Sequence, residues 1–400
     1  MPEGSNRPSF AVGVVETRPI AVVFLVAAVV RLIPAAYVAI SRDGVVFADD
    51  QAYLSLAREF AEGATPSDGL WSSAWSFTYP IGWAMRLIGT TAMVPLVMSA
   101  LAGALTAAAV AFVVRHVQGA RWALAAGLTA ALWPSQILWS SLILRDSFMW
   151  MALSAVPVVL TWWGGSVRIS RLLPASAALV LLLLYISGSR KHTLVVACLA
   201  LGLALIVTAK RHRALLALLS LLVVAVVPWL VGLGVAGSDL IRGGTAGRQE
   251  VLTAATEDGK TTIACVVVPF VYEAPSDGVG WSNDLQCLPS GARMMLLDPL
   301  PNQLHKSRSL WPAFAENLIW YPALGLAVVG VVSTYRRRTF TPALTYTVLV
   351  WLGSVTMWGL VDRNFGTGYR HRGEFVWCVI VLAAIGAQRL RERRRSTMTA

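Results

Sequence analysis

Three observations predict an all-helical protein that crosses a membrane many times. Hydrophobic residues fill 56% of the 400 positions, 14% are charged, and mean hydropathy is +0.64, whereas a soluble domain carries about 25% charged residues. The apolar residues gather into runs of about 17–24, the length a helix needs to cross a bilayer core. The basic residues cluster in short segments between those runs, where orientation signals lie. The net charge of +12 is therefore no sign of nucleic-acid binding: no basic stripe sits within a soluble DNA-binding fold. The same composition excludes a soluble enzyme.

About ten spans follow in order. The first, residues 20–40, comes after a long polar start and lacks a small-residue cleavage site, so it reads as a retained span rather than a secretory signal. Residues 41–90 form a long polar segment. Spans at 91–114, 122–144, 147–163, 172–188, 194–209 and 214–237 come next, the fifth and sixth short enough to be one hairpin. A second long polar segment, 238–316, precedes the eighth span, 317–335, and spans at 341–361 and 375–387 complete a single membrane domain, 1–400. The last is short, so it starts earlier or tilts. The segment 238–316 carries turn-rich stretches and a β-like run at 261–271, consistent with a small lid.

Charge sets the orientation. With a cytoplasmic N-terminus, the inner segments hold 17 of the 33 Lys and Arg residues against Glu3, Glu16 and Glu392. Inside is then about +14 and outside about −3, which selects cytoplasmic termini and external loops at 41–90 and 238–316. Long connections tend to carry function. Of four cysteines, Cys198 and Cys378 lie within apolar runs, and Cys265 and Cys287 share the second external loop, where a disulfide is open to them. No Cys/His spacing suggests zinc.

The stretch after the first span organises the rest. Asp49 and Asp50 are adjacent carboxylates, followed by an amphipathic helix. Tyr53, Leu56, Ala57, Phe60 and Ala61 recur on one face; Gln51, Ser55, Arg58, Glu59 and Glu62 lie on the other. Gly63 is a stop signal. Beside a membrane such a helix lies in the interface and holds both acids at the bilayer surface. The plainer reading is a helix N-cap, for which one Asp suffices.

Phe47-Ala48-Asp49-Asp50-x-x-Tyr53-x-x-x-Ala57 after a hydrophobic span resembles the first external loop of the GT-C superfamily of membrane glycosyltransferases, which includes protein mannosyltransferases and bacterial aminoarabinose transferases. That loop usually carries Asp-Glu; here the second acid is Asp50. The resemblance implies a polyprenyl-phosphate sugar as donor. A second likeness lies in the C-terminal third, in Asn364-Phe-Gly-Thr-Gly-Tyr369-Arg370-His371-Arg372 before the final span, in Leu288–Gly291 to Pro299–Pro301, and in Glu316-Asn317-Leu-Ile-Trp-Tyr321. These stretches look like the ends of bacterial membrane proteins from polysaccharide-synthesis loci.

Several charges break the orientation rule. Arg190 and Lys191, and then Arg363, Arg370, His371 and Arg372, sit on the outer side of a protein that otherwise keeps its cations inside. Phosphate needs such donors, Arg as a planar fork and Lys as a compact charge; attraction to anionic lipid is the alternative. Asp146, after Arg145, stands where GT-C proteins often carry an acid in the second external loop, so the resemblance implies an acceptor orienter or metal ligand; the alternative is the N-cap of the fourth span. Arg31 lies at bilayer depth, where a charge faces a polar interior and pairs with a loop carboxylate or a substrate phosphate, or snorkels. Trp71, Trp75, Tyr79 and Trp83 read as an interfacial aromatic belt or a sugar platform.

The expected reaction is sugar transfer from a polyprenyl-phosphate donor to an acceptor hydroxyl on a glycan, lipid or protein, on the extracytoplasmic face of the cell membrane. Asp49 is the general base. Asp50 orients the acceptor or tunes Asp49 by like-charge repulsion. Tyr53, Arg31, Asp146, Arg190, Lys191, Tyr369, Arg370, His371 and Arg372 bind substrate. A divalent metal through Asp49, Asp50 and Asp146 is open, though no ligand set for one stands in the sequence. Two rival readings are a polysaccharide polymerase acting on lipid-diphosphate-linked repeats, and a non-catalytic flippase or assembly subunit that binds lipid phosphate.

Overall fold

The computed structural model describes residues 10–64, 73–164, 168–208, 281–306, 310–362 and 365–399, with residues 66, 69 and 166 and the pairs 263–264 and 273–274. The helices are α1 (Phe10–Arg42), α2 (Ala48–Ala61), α3 (Trp75–Ile88), α4 (Met93–Gln118), α5 (Ala120–Ala131), α6 (Pro134–Ser140), α7 (Asp146–Trp163), α8 (Ile169–Ser187), α9 (Lys191–Thr208), α10 (Trp281–Leu296), α11 (Leu310–Arg336), α12 (Pro342–Val361) and α13 (Phe365–Thr399). Ile263–Ala264 pairs antiparallel with Glu273–Ala274. The rest of the regular structure among the described residues is helical.

Seven helical segments are long and apolar enough to cross a membrane: Arg18–Arg42, α4, α8, α9, α11, α12 and Phe365–Met398. The chain is a multi-pass membrane protein. Three of the ten apolar runs are not among the seven. The run at 214–237 lies outside the described residues, as do Trp71, Arg363 and the side chains of Cys265 and Cys287. The run at 147–163 is α7, which is central rather than lipid-facing: Met149, Trp150, Ala152, Leu153 and Val156 are fully buried, and it packs on α4, α8, α12 and α13. The last span begins earlier than residue 375, at Phe365, and α8 and α9 are two helices.

The run at 122–144 is corrected outright, because it is not one helix. α5 ends at Ala131, Trp133 takes an extended backbone (ψ 120°), and Pro134 starts the seven-residue α6. Proline has no N–H to continue the ladder and biases the residue before it away from helical geometry. A break inside an apolar protein frees carbonyls on one side and N–H groups on the other, and both need partners. Two buried charges from other helices supply them. Arg31 of α1 donates to the carbonyls of Ala131 (2.8 Å) and Ala130 (3.2 Å) at the end of α5. Glu316 of α11 accepts from Ser135 N (2.7 Å) and Ser135 Oγ (2.9 Å) at the start of α6. A cation thus meets the negative end of one half-helix and an anion the positive end of the next.

α13 packs most closely on α11 through paired glycines. A Cβ on Gly330 would meet the Leu382 carbonyl oxygen, and one on Gly386 would meet that of Leu326. Backbone therefore approaches backbone directly, as small residues allow between membrane helices. This contact anchors α13, whose first turns carry the site.

α2 forms where its periodicity predicts. Tyr53, Leu54, Leu56 and Ala57 are buried, and the helix ends with Gly63 at φ +99°. Its apolar face packs on α3 within the protein, with Tyr53 edge-on to Phe77 at 4.9 Å. Burying each large apolar side chain contributes about 1.5–3 kcal/mol, so α2 is fixed in place by its packing.

Candidate functional site

Two adjacent acids in α2 point in opposite directions. The Asp50 carboxylate is fully buried and accepts from the backbone N–H of Val46 (3.1 Å) and Phe47 (2.9 Å). It satisfies the orphan donors at the start of α2, the work of a capping residue. Burial raises its carboxyl from 3.8 to about 6, against the lowering effect of those two hydrogen bonds. Asp49 is one step round the helix, with its side chain 56% exposed.

Asp49 heads a ladder of charges. Its Oδ2 accepts from Arg370 Nη1 at 2.6 Å. Arg370 turns its other edge to Asp146 Oδ2, through Nε at 2.7 Å and Nη2 at 2.6 Å. Asp146 Oδ1 accepts from Arg190 Nη2 at 2.7 Å, and Arg190 Nη1 donates to Glu374 Oε1 at 2.5 Å. Glu374 Oε2 also accepts from Thr193 Oγ1 (3.0 Å) and Trp358 Nε1 (2.9 Å). Asp146 and Glu374 have no exposed surface. Burial opposes the charge on Asp146, and Arg190 and Arg370 more than offset that, holding its carboxyl below the ordinary carboxylate range.

Helical spacing explains how α13 builds this. Arg370 and Glu374, four apart, share the face towards α7 and the turn before α9. Tyr369 and Arg372, three apart, share another. Tyr369 donates to Glu316 Oε2 at 2.9 Å. Arg372 donates to Asn317 Oδ1 at 2.9 Å and to the carbonyls of Asp298 (2.5 Å) and Met294 (3.2 Å). Between the two faces, a Cβ on Gly373 would strike the Trp150 ring, so glycine lets α13 close onto α7. Trp75 of α3 lies against Gly188, just before Arg190.

The sequence-predicted residues therefore divide. Asp49, Asp146, Arg190 and Arg370 come together. Tyr53 is buried beside them, and the charges of Arg145, Arg190, Asp146 and Arg370 act on its hydroxyl. His371 is held by Asp362, at 2.7 Å, and stacks on Trp358. Lys191 is exposed at the start of α9. Tyr369 and Arg372 face α11 and α10. Arg31 meets backbone carbonyls at the α5 break, with no carboxylate ion pair among the described residues. Arg190 and Arg370 each bridge two carboxylates, and with Arg145 beside Asp146 they balance Asp49, Asp146 and Glu374 charge for charge. Burial removes solvation, so each buried charge needs such a counterpart.

Glu374, Asp362 and Glu316 are site residues that the sequence reading did not single out. The four-residue step from Arg370 to Glu374 was the available signal for the first. Among the described residues no group of three or more His, Cys, Asp and Glu side chains could hold a metal ion, and Arg370 bonds both Asp49 and Asp146, filling the place a bridging cation would take. No protein-family model matches the chain, and no curated protein matches it significantly.

Proposed function

We propose that the protein is a membrane glycosyltransferase of GT-C type that moves a sugar from a polyprenyl-phosphate donor to an acceptor hydroxyl, with Asp49 as the base. One observation carries the reading: of the two acids in the motif, Asp50 is committed to the backbone and Asp49 is presented outward at the edge of a rigid, neutral network. A base must reach its substrate, and its geometry must be set beforehand.

Asp49 takes the acceptor proton as that oxygen attacks the anomeric carbon. Arg370, fixed on Asp146 by two donors, keeps Nη1 at the same edge, where it faces the charge that grows on the departing phosphate. The exposed Lys191 adds a cation. Asp146, Arg190 and Glu374 touch no substrate in this account; they hold Arg370 in place. The charge count of the loops supports an extracytoplasmic site with both termini in the cytoplasm.

The test is transfer by purified protein from a panel of radiolabelled polyprenyl-phosphate sugars to a membrane-extract acceptor pool, wild type against Asp49→Asn. Transfer only by the wild type supports the reading. Near-wild-type turnover by Asp49→Asn removes Asp49 from the role. Elongation of lipid-diphosphate repeats without use of monophosphate sugars favours the polymerase. Lipid-phosphate binding that survives neutralisation of both acids, with no transfer, favours a non-catalytic subunit.

A further inference from the structure

The loop after α12 brings a second carboxylate to the same end of α13. Asp362, the C-cap of α12, is 4% exposed, and its Oδ2 lies 2.7 Å from His371 Nδ1. A buried carboxylate needs a donor, and among the described residues the imidazole is the side chain that supplies one. The bond fixes which ring nitrogen carries the proton, leaving Nε2 for another partner. Among the described residues Nε2 has no hydrogen bond.

The ring itself is fixed from below. It stacks on the Trp358 indole, with centroids 3.7 Å apart and planes at 26°. Trp358 is in turn held by its Nε1 bond to Glu374. Arg190 lies 5.4 Å from the same indole centroid, and Glu374 bonds both Arg190 and Trp358. His192 also borders the indole, at 6.4 Å, and Asp146 of α7 is close enough for the two charges to interact. The neighbour in sequence is Arg370, which reaches Asp49.

We infer that His371, oriented by Asp362, is the proton donor to the departing lipid phosphate. The inference rests on the transferase reading above. In the step, the acceptor oxygen bonds to the anomeric carbon and its proton passes to Asp49. The bond from that carbon to the phosphate oxygen breaks, the electron pair stays on the phosphate, and Nε2–H of the imidazolium protonates it. Solvent later returns a proton to His371 and takes one from Asp49, so the cycle closes without another reactant. Imidazoles and phosphate monoesters titrate near each other, around pH 6 to 7, the match that makes general acid catalysis effective.

The experiment uses the full chain in bilayer discs and the donor that the wild type transfers. His371→Asn places an amide near the Nδ1 position, so it can keep the bond to Asp362. Its kcat should fall about 100-fold, with donor KM changed less than about threefold, and the decline in kcat at alkaline pH should disappear. Asp362→Asn should lower kcat and alter that alkaline decline, and it carries the test if His371→Asn fails to fold. A merely structural tie would leave the pH profile alone. Full kcat with an intact alkaline limb in either folded variant overturns the inference while the transferase reading stands. No transfer by the wild type from any donor removes both.

Discussion

Asp146→Asn should be among the most damaging single substitutions in this protein, and Asp49→Asn, two links along the same ladder, among the least damaging to the fold. Asp146 is fully buried and accepts from Arg190, 4% exposed, and Arg370, 17% exposed, at 2.6–2.7 Å. Replacing the carboxylate with a neutral amide leaves two guanidinium groups facing each other in a low-dielectric setting. Removing one partner of a buried ion pair costs about 3–5 kcal/mol, a factor of roughly 100 to several thousand in the folded-to-unfolded ratio. Arg190 keeps Glu374 and Arg370 keeps Asp49, which places the expected cost near the lower end. Asp49 is more than half exposed, and pairs of that kind are worth about 0–1 kcal/mol. Reversible unfolding in mixed micelles, followed by tryptophan fluorescence, gives both values. Equal destabilisation by the two substitutions, or an Asp146→Asn protein within about 1 kcal/mol of wild type, would refute the account of the ladder as the site's scaffold.

Asp50→Asn tests the opposite assignment for the second acid. Its folded carboxyl, at about 6, lies above the ordinary 3.8. The folded state therefore holds the proton more tightly than the unfolded one, and this contribution is full below about pH 4 and lost as pH rises through 6. Wild-type stability relative to Asp50→Asn should fall between about pH 4 and 7, by at most about 3 kcal/mol, while the variant keeps the transfer activity proposed above. Glu316→Gln weakens the cap on α6 and the bond from Tyr369. It should cost about 1–3 kcal/mol in the same unfolding measurement, and no loss would mean that the helix break needs no anion.

Much of the architecture was legible because membrane spans are written in long runs of one chemistry. The α2 helix was legible too: its exposed Gln51, Ser55 and Glu59 and buried Tyr53, Leu56 and Ala57 follow the predicted faces. The break at Trp133–Pro134 was hidden because hydropathy averages over a window and does not register one backbone dihedral. Composition does not tell which apolar helix lies at the centre, since a helix such as α7 can be surrounded by protein as readily as by lipid. At the site, adjacency in sequence misled: Asp49 and Asp50 read as a pair, yet neighbouring helical residues point about 100° apart. Glu374, Asp362 and Glu316 were missed because their partners, Arg190, His371 and Ser135, are respectively 184, 9 and 181 positions away.

The cations that broke the orientation rule carry the last step. In sequence, Arg190, Arg370 and Arg372 suggested a surface that attracts phosphate by excess charge. In the fold, Arg190 and Arg370 are matched by Asp49, Asp146 and Glu374, and Arg372 by Asn317 and two carbonyls. A neutral network has little long-range pull on an anion; what it offers is a guanidinium edge and a carboxylate fixed against each other. On the proposed reading, a substrate that enters between them must loosen the Asp49–Arg370 contact, the most exposed rung of the ladder and therefore the least costly to open. Opening it would free the proposed base and an anion donor together. That coupling of the two groups is the physical reason to look for chemistry at this rung and for support at the others.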